Sequence, residues 1–155
     1  MGIEATCSND LIRRDPNSGD GFLIMAVFSV WGAQRAGIDS AQARVAVVQN
    51  QPIAMIRRFD RTVEQNRIPY ISGATLLQAN RDDEHSYTEL VDEMRSICKN
   101  FVEDARQLWR RLVFNHLITN VDDHLQNIGF LYCGNTQWRL APAFDLNPFP
   151  EKDPE

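Results

Sequence analysis

Cysteine is scarce: Cys7, Cys98 and Cys133 are scattered through 155 residues, odd in number and without a CxxC pair. That excludes a disulfide framework and leaves no zinc-ligand spacing. Long hydrophobic runs are missing as well. The most apolar stretch, residues 22–31, is too short to span a bilayer. Read as a secretory leader it would start late, behind a polar segment with no basic start. No membrane association is expected, and the expected location is cytoplasmic. Basic charge is not in excess, since 16 Lys and Arg face 21 Asp and Glu for a net charge of −5. This argues against a broad nucleic-acid surface while leaving room for a local patch. Repeats and low-complexity tracts are absent. The composition, 43% hydrophobic and 24% charged, is that of a soluble globular protein, and the length suits one domain or part of a larger one.

The chain divides into a polar segment (1–21), a core (22–150) and a polar tail (151–155). Within the first segment, RRDPNSGDG is rich in turn formers, and Gly19 and Gly21 read as a turn. Residues 22–36 read as a helix closed by Gly37. The runs 45–48 and 53–56 flank QNQP and predict a hairpin. RIPYISGATLLQAN predicts a loop leading into a short helix. DDEHSYTELVDEMRSICKNF begins with capping residues and spaces Leu90, Met94 and Ile97 for a helix. VEDARQLWRRLVFNHLITN repeats the spacing with Ala105, Leu108, Leu112 and Leu117. IGFLY and QWRLAP then predict two short strands around CGNT. The sum is an α+β fold, with a small sheet first and helices after it. Trp31, Trp109 and Trp138 are expected in the core, His116 at a core boundary, His85 in solvent, and Arg110–Arg111 on a solvated helix face.

FNHLITNVDDHLQNIGFLY is the least ordinary stretch, because it sets Asp122, Asp123 and His124 between apolar segments. Phosphoryl transfer requires a carboxylate beside the attacking hydroxyl, an oxygen ligand for magnesium, and a second carboxylate bridging metal and phosphates. Protein kinases place their catalytic aspartate five positions before a metal-binding asparagine, and Asp122 stands at that interval from Asn127. His124 falls where many kinases keep a phosphate-contacting lysine. Asp145, in APAFDLNPFP just after a predicted strand, is placed to be a second magnesium ligand. A DDH triplet alone is equally a helix-capping cluster. Asp145 alone would fit the commoner role of an Asx-turn residue. The order Asp, Asn, hairpin, Asp is more specific than any of its members.

HLITNVDDHLQNIGFL followed by WRLAPAFDLNPFP resembles the C-terminal domain of HipA-type toxin kinases, the serine/threonine kinases of bacterial toxin–antitoxin modules. IAMIRRFDR (53–61) and RIPYISGATLL (67–77) resemble the same family, so the likeness runs through residues 30–150. It implies a mainly helical kinase C-lobe with a small β-hairpin or sheet on the N-terminal side and an incomplete N-lobe. It implies Asp122 as the catalytic base and Asn127 and Asp145 as magnesium ligands. The backbone of Arg57 to Phe59 would form the hinge against adenine, with Asp60 near the ribose. The cofactors implied are ATP and Mg2+. The implied substrate is a protein such as an aminoacyl-tRNA synthetase. The implied partner is a helix-turn-helix antitoxin, through which alone DNA would be reached.

The sequence departs from that pattern on the N-lobe side. Its only lysines are Lys99 and Lys152, both far from any early strand, and it has no G-x-G-x-x-G. If another residue replaces the kinase lysine, Arg13 or Arg14 is the candidate. Helix 22–38 offers no acidic residue to pair with a lysine. Family members are longer at both ends, so the chain reads as the middle of a kinase, poorly active alone. A pseudokinase or interaction module is one alternative. Another is a metal-dependent phosphohydrolase or nuclease built on Asp122, Asp123, His124 and Asp145.

Overall fold

Among the described residues, two three-stranded antiparallel sheets and three helices of 11 to 17 residues carry the architecture. The computed structural model of the chain describes residues 10–13, 20–49, 51–79 and 85–148. Strand β1 (Asp10–Arg13) and helix α1 (Asp20–Arg35) are followed by β2 (Ala43–Val48) and β3 (Gln51–Arg57). Next come β4 (Tyr70–Ser72), the single turn α2 (Gly73–Leu76), α3 (Tyr87–Ile97) and α4 (Phe101–Leu117). Strands β5 (Gly129–Gly134) and β6 (Gln137–Leu140) close the order. The first sheet is ordered β1-β3-β2 and the second β4-β5-β6.

The expected hairpins form, for local reasons. Strands β2 and β3 pair from Val48↔Gln51 to Ala43↔Ile56, with Gln49 in the left-handed region at φ 51°. Strands β5 and β6 pair through Phe130↔Leu140 and Tyr132↔Trp138. Asn135 and Thr136 both have positive φ, the type I′ geometry whose twist matches flanking strands. Helix α1 ends as Gly37 predicts. At φ 74°, Gly37 lets Ile38 N donate to Ala33 O at 3.0 Å and its own N–H donate to Gln34 O at 3.1 Å. Helix α3 starts on a capping box, with Ser86 and Glu89 satisfying each other's backbone N–H.

The first segment departs from its expected loop. Asp10–Arg13 is a strand, paired with β3 through Ile12↔Met55 and Leu11↔Ile56, because an open strand edge overrides turn-rich surroundings. Gly21 lies inside α1 rather than in a turn. Residues 1–9, Arg14, Gly19 and the tail 151–155 lie outside the described residues.

Helices α3 and α4 cover the second sheet. Leu90 and Met94 of α3, Leu108 of α4, and Ile128, Phe130 and Leu140 form the largest buried cluster. Each large side chain fully removed from water there contributes about 1.5–3 kcal/mol. A second cluster joins α1 to the end of the chain: Val30, Ala33 and Ile38 pack on Ala143 and Leu146, with Phe114 and Ile118 beside them.

Several side chains on α4 face the other way from expectation. Leu117 is 73% exposed and Trp109 64% exposed, and His116 is exposed. Leu117 lies five positions past Leu112, well round the helix from the core face. Arg111 is only 5% exposed, so the solvated face expected for Arg110–Arg111 is wrong at Arg111. Trp31 also stays exposed, donating its Nε1 to Ala43 O at 3.0 Å.

Candidate active site

Residues 118–128 join α4 to β5, and asparagines set the loop's shape. Thr119, at φ 55°, turns the chain off the helix. Asn120 N then donates to Asn115 O at 2.8 Å, and its Nδ2 donates to Asn115 Oδ1 at 3.3 Å. Asp122 N donates to Asn120 Oδ1 at 3.3 Å, and Asn127 Nδ2 donates to Asp122 O at 3.0 Å. The five-residue interval between Asp122 and Asn127 is thus closed by a direct hydrogen bond. Asn127 spends its amide nitrogen on the loop, and its Oδ1 is the end suited to an outside ligand.

The second sheet props the loop from the other side. Gly73 N donates to Ile128 O at 2.7 Å and Ala74 N to Leu125 O at 3.2 Å. A Cβ on Gly73 would stand 3.0 Å from Leu125 O and 3.3 Å from Leu90, so glycine permits the close approach. This gives YISGATLL a structural purpose.

Asp145 reaches the loop from beyond β6. It adopts φ 57°, a left-handed conformation that aspartate tolerates better than most residues. Asn147 Nδ2 donates to its Oδ1 at 2.9 Å, and its neighbours Ala143 and Leu146 are buried against α1. Asn127 and Asp145 line one cleft, together with Arg111, Asn115, Asn120 and Asp123. The inward carboxylate of the DDH triplet is Asp123, which is hydrogen-bonded to Tyr87. Burial, reinforced by the charge and hydrogen bond of Asp123, holds the Tyr87 phenol well above its ordinary range. Asp122 does not line this cleft. Its side chain is 55% exposed and that of His124 45% exposed, with Oδ1 and Nε2 3.6 Å apart.

Of the residues expected at an adenine hinge, Phe59 touches the segment that carries Asp145. Its ring centroid is 5.5 Å from Phe144 and 6.3 Å from Tyr70. Arg57 lies at the end of β3 and donates Nη1 to Gln42 Oε1 at 3.2 Å. Asp60 is gripped by Arg58 through Nε at 2.7 Å and through Nη2. That hydrogen-bonded fork holds the Asp60 carboxyl below its usual range against the opposing effect of burial. Arg57, Phe59 and Asp60 are not among the cleft-lining residues.

Arg111, Asn115 and Asn120 are the cleft residues that sequence reasoning missed. Arg111 follows Leu108 by three positions and Asn115 follows Leu112 by three, which places both on the apolar face of α4. Polar residues at core spacing were the available signal. Burial pushes the Arg111 guanidinium down to about 10, opposed by the charges of Asp39, Asp104 and Asp123.

The donor set suits magnesium. Asn127 and Asp145 offer one amide and one carboxylate oxygen source, and Mg2+ usually takes one or two carboxylates with waters and substrate phosphates. Among the described residues, no group of three or more His, Cys, Asp or Glu side chains is arranged to hold a metal. No helix among them is long and apolar enough to cross a membrane.

A putative kinase of Haemophilus influenzae is 28% identical over 109 residues, covering 63% of this chain and 32% of that protein. The fold matches HipA of Shewanella oneidensis, solved as a toxin–antitoxin complex with HipB and operator DNA. The TM-score is 0.77 at 16% identity, over 95% of this chain and 39% of that one. It also matches the Helicobacter pylori proinflammatory kinase CtkA, with a TM-score of 0.66 at 16% identity, over 87% of this chain and 49% of that one. The chain therefore spans about a third to a half of the length of these relatives. The HipA-like C-terminal domain family matches residues 27–154, and with that the chain belongs to the HipA-like C-terminal domain family.

Proposed function

We propose that this chain is the magnesium- and nucleotide-binding core of a serine/threonine protein kinase that transfers the γ-phosphoryl group of ATP to a protein hydroxyl. The observation that carries this reading is the meeting of Asn127 and Asp145 in one cleft, with Asn127 fastened to the backbone of Asp122. Asp145 and the Oδ1 of Asn127 would hold Mg2+. Bound there, Mg2+ would neutralise charge on the phosphates. Asp122, exposed beside the cleft residues, would orient the substrate hydroxyl and accept its proton. His124, two positions on, would contact a phosphate. The backbone of Arg57 to Phe59 would meet adenine, and the Phe59–Phe144 contact would hold that hinge against the Asp145 segment. Asp60 near the ribose would have to share its carboxylate with Arg58.

The proposed setting is a cytoplasmic toxin–antitoxin module, by likeness to the Shewanella HipA captured with HipB and operator DNA. A helix-turn-helix antitoxin would be the partner, DNA would be reached only through it, and an aminoacyl-tRNA synthetase is the substrate class proposed. A phosphohydrolase or nuclease would need a protein-built metal cage. The described residues offer a two-residue site that nucleotide phosphates would complete.

The test separates ligand from base. Asp145→Asn should weaken magnesium-dependent ATP binding, whereas Asp122→Asn should spare binding and abolish transfer of radiolabelled phosphate to protein. Equal loss of nucleotide binding in both variants would contradict these roles. Scarce lysine favours a second reading, a pseudokinase. Tight Mg2+–ATP binding with no transfer, even alongside the remaining parts of a longer relative, would establish it.

A further inference from the structure

Arg111 lies where α4 passes two backbone segments that meet edge to edge. Ser40 and Ala143 form a parallel bridge there. Ala41 N donates to Ala143 O and Ala143 N donates to Asp39 O, each at 2.8 Å. One segment leads from α1 into β2, and the other leads from β6 to Asp145. Arg111 Nη2 donates to Ala141 O at 2.5 Å and to Asp39 O at 3.4 Å, so one guanidinium touches both. One helical turn earlier, Gln107 accepts from Asp39 N at 3.0 Å and donates to Gly37 O at 3.2 Å.

A neutral amide such as Gln107 suffices to hold a loop. A buried charge is costly unless it is compensated, and among the described residues Arg111 makes no direct ion pair. Its Nε is buried without a hydrogen-bond partner. The same side chain lines the cleft with Asp123, Asn127 and Asp145. The charge therefore sits where carboxylates, and on the proposed reading an anionic nucleotide, gather. The bridge it supports is a single pair wide, and beside it the two segments meet through Ile38 packed on Ala143 and Leu146.

We propose that Arg111 is a positioning residue for the candidate magnesium site: it clamps the linker after α1 to the segment before Asp145 and so sets Asp145 against Asn127. The inference rests on reading the cleft as a nucleotide site, but the clamp itself can be judged without nucleotide. Lysine keeps the charge, but Nη2 makes both bonds, and a shorter side chain without the guanidinium plane holds its nitrogen there less firmly. Methionine keeps the bulk and leaves the Ala141 carbonyl short of a donor.

Hydrogen–deuterium exchange on the full chain should show the Ala41 and Ala143 amides exchanging about tenfold faster in Arg111→Met. Arg111→Lys should be intermediate, and the amides of α3 and β5 should be unchanged in both. Magnesium-dependent ATP affinity should fall about tenfold in Arg111→Met, and affinity measured without magnesium should fall by clearly less. Unchanged exchange at Ala41 and Ala143 would overturn the proposal. So would faster exchange there with unaltered magnesium dependence. Fast exchange throughout the chain in both variants would make Arg111 a folding residue only, and overturns it too. If the wild type binds no nucleotide, the kinase reading fails, while exchange at Ala41 and Ala143 still decides whether Arg111 is the clamp.

Discussion

The two sheets have three strands each, and they meet different fates. The β4-β5-β6 sheet is backed by α3 and α4 and buries Phe130 and Leu140 in a cluster with Leu90, Met94 and Leu108. Among the described side chains, the β1-β3-β2 sheet packs on α1 around a smaller buried pair, Val27 and Ala54. Val45, Val47 and Val48 of β2 remain exposed, as do Met25, Phe28 and Trp31 of α1. One sheet has a well-filled core; the other is thinly backed and presents apolar surface of the kind that usually marks an interface, as the outer face of α4 also does at Trp109 and Leu117. The difference places the candidate metal ligands and base on or beside the well-packed side. The less covered sheet leads through β3 to the proposed hinge.

Emptying each core in turn should produce the largest effects. Phe130→Ala should cost about 3–5 kcal/mol, while Val27→Ala should cost no more than about 1–2 kcal/mol. Urea unfolding of the two variants measures this, and equal losses would mean that the small sheet is as tightly packed as the large one.

A functional contrast should follow. This chain alone should transfer phosphate well below a full-length relative, because both lysines, Lys99 and Lys152, stand far along the sequence from the strands of the small sheet. Losing one well-placed charged contact costs about 2–4 kcal/mol of transition-state stabilisation, or roughly 30- to 1000-fold. Radiolabelled ATP assays on the isolated chain test it. Robust turnover would point to another cation, such as Arg13 on β1, and would erase the functional side of the comparison.

Much of this was legible in the sequence, for reasons that differ by element. Both hairpins announced themselves because alternation and turn residues act over a few positions. Strand β1 did not, since its partner β3 lies far along the chain and the intervening turn formers masked it. Asn127 and Asp145 were readable from their order relative to Asp122. Which carboxylate of the DDH triplet faces the cleft was not, because an irregular loop has no period to read. Arg111 was misread because its partners are backbone carbonyls, which leave no mark on the sequence around them.

A smaller effect probes the well-filled side. A Cβ on Gly129 would fall 2.1 Å from the Tyr70 ring, so Gly129→Ala should destabilise the chain by about 1–3 kcal/mol through overpacking. Adding Tyr70→Ala should cost less than the two single changes summed, since the clash is then removed. Strict additivity in urea melts would show that the ring moves freely out of the way.

The smallest effect belongs to the hinge. Arg58 lowers the Asp60 pKa, so the pair stabilises the fold above the ordinary carboxylate value near about pH 4. That contribution is lost as pH falls through the lowered folded value. Both side chains are partly exposed, at 33% and 22%, which limits the gain to about 1 kcal/mol or less. Arg58→Ala should therefore lower the melting temperature slightly at neutral pH, with the two curves converging in acid. A constant gap down to about pH 2 would rule out Asp60 as the source.

The asparagine lattice behind Asp122 has a consequence of its own. Asn115, Asn120 and Asn127 hold the loop through amides and backbone carbonyls, none of which gains or loses a proton in the working range. These bonds therefore keep their partners whatever the charge in the cleft. A loop propped by ion pairs would lose charge and shape together; here the two are separable.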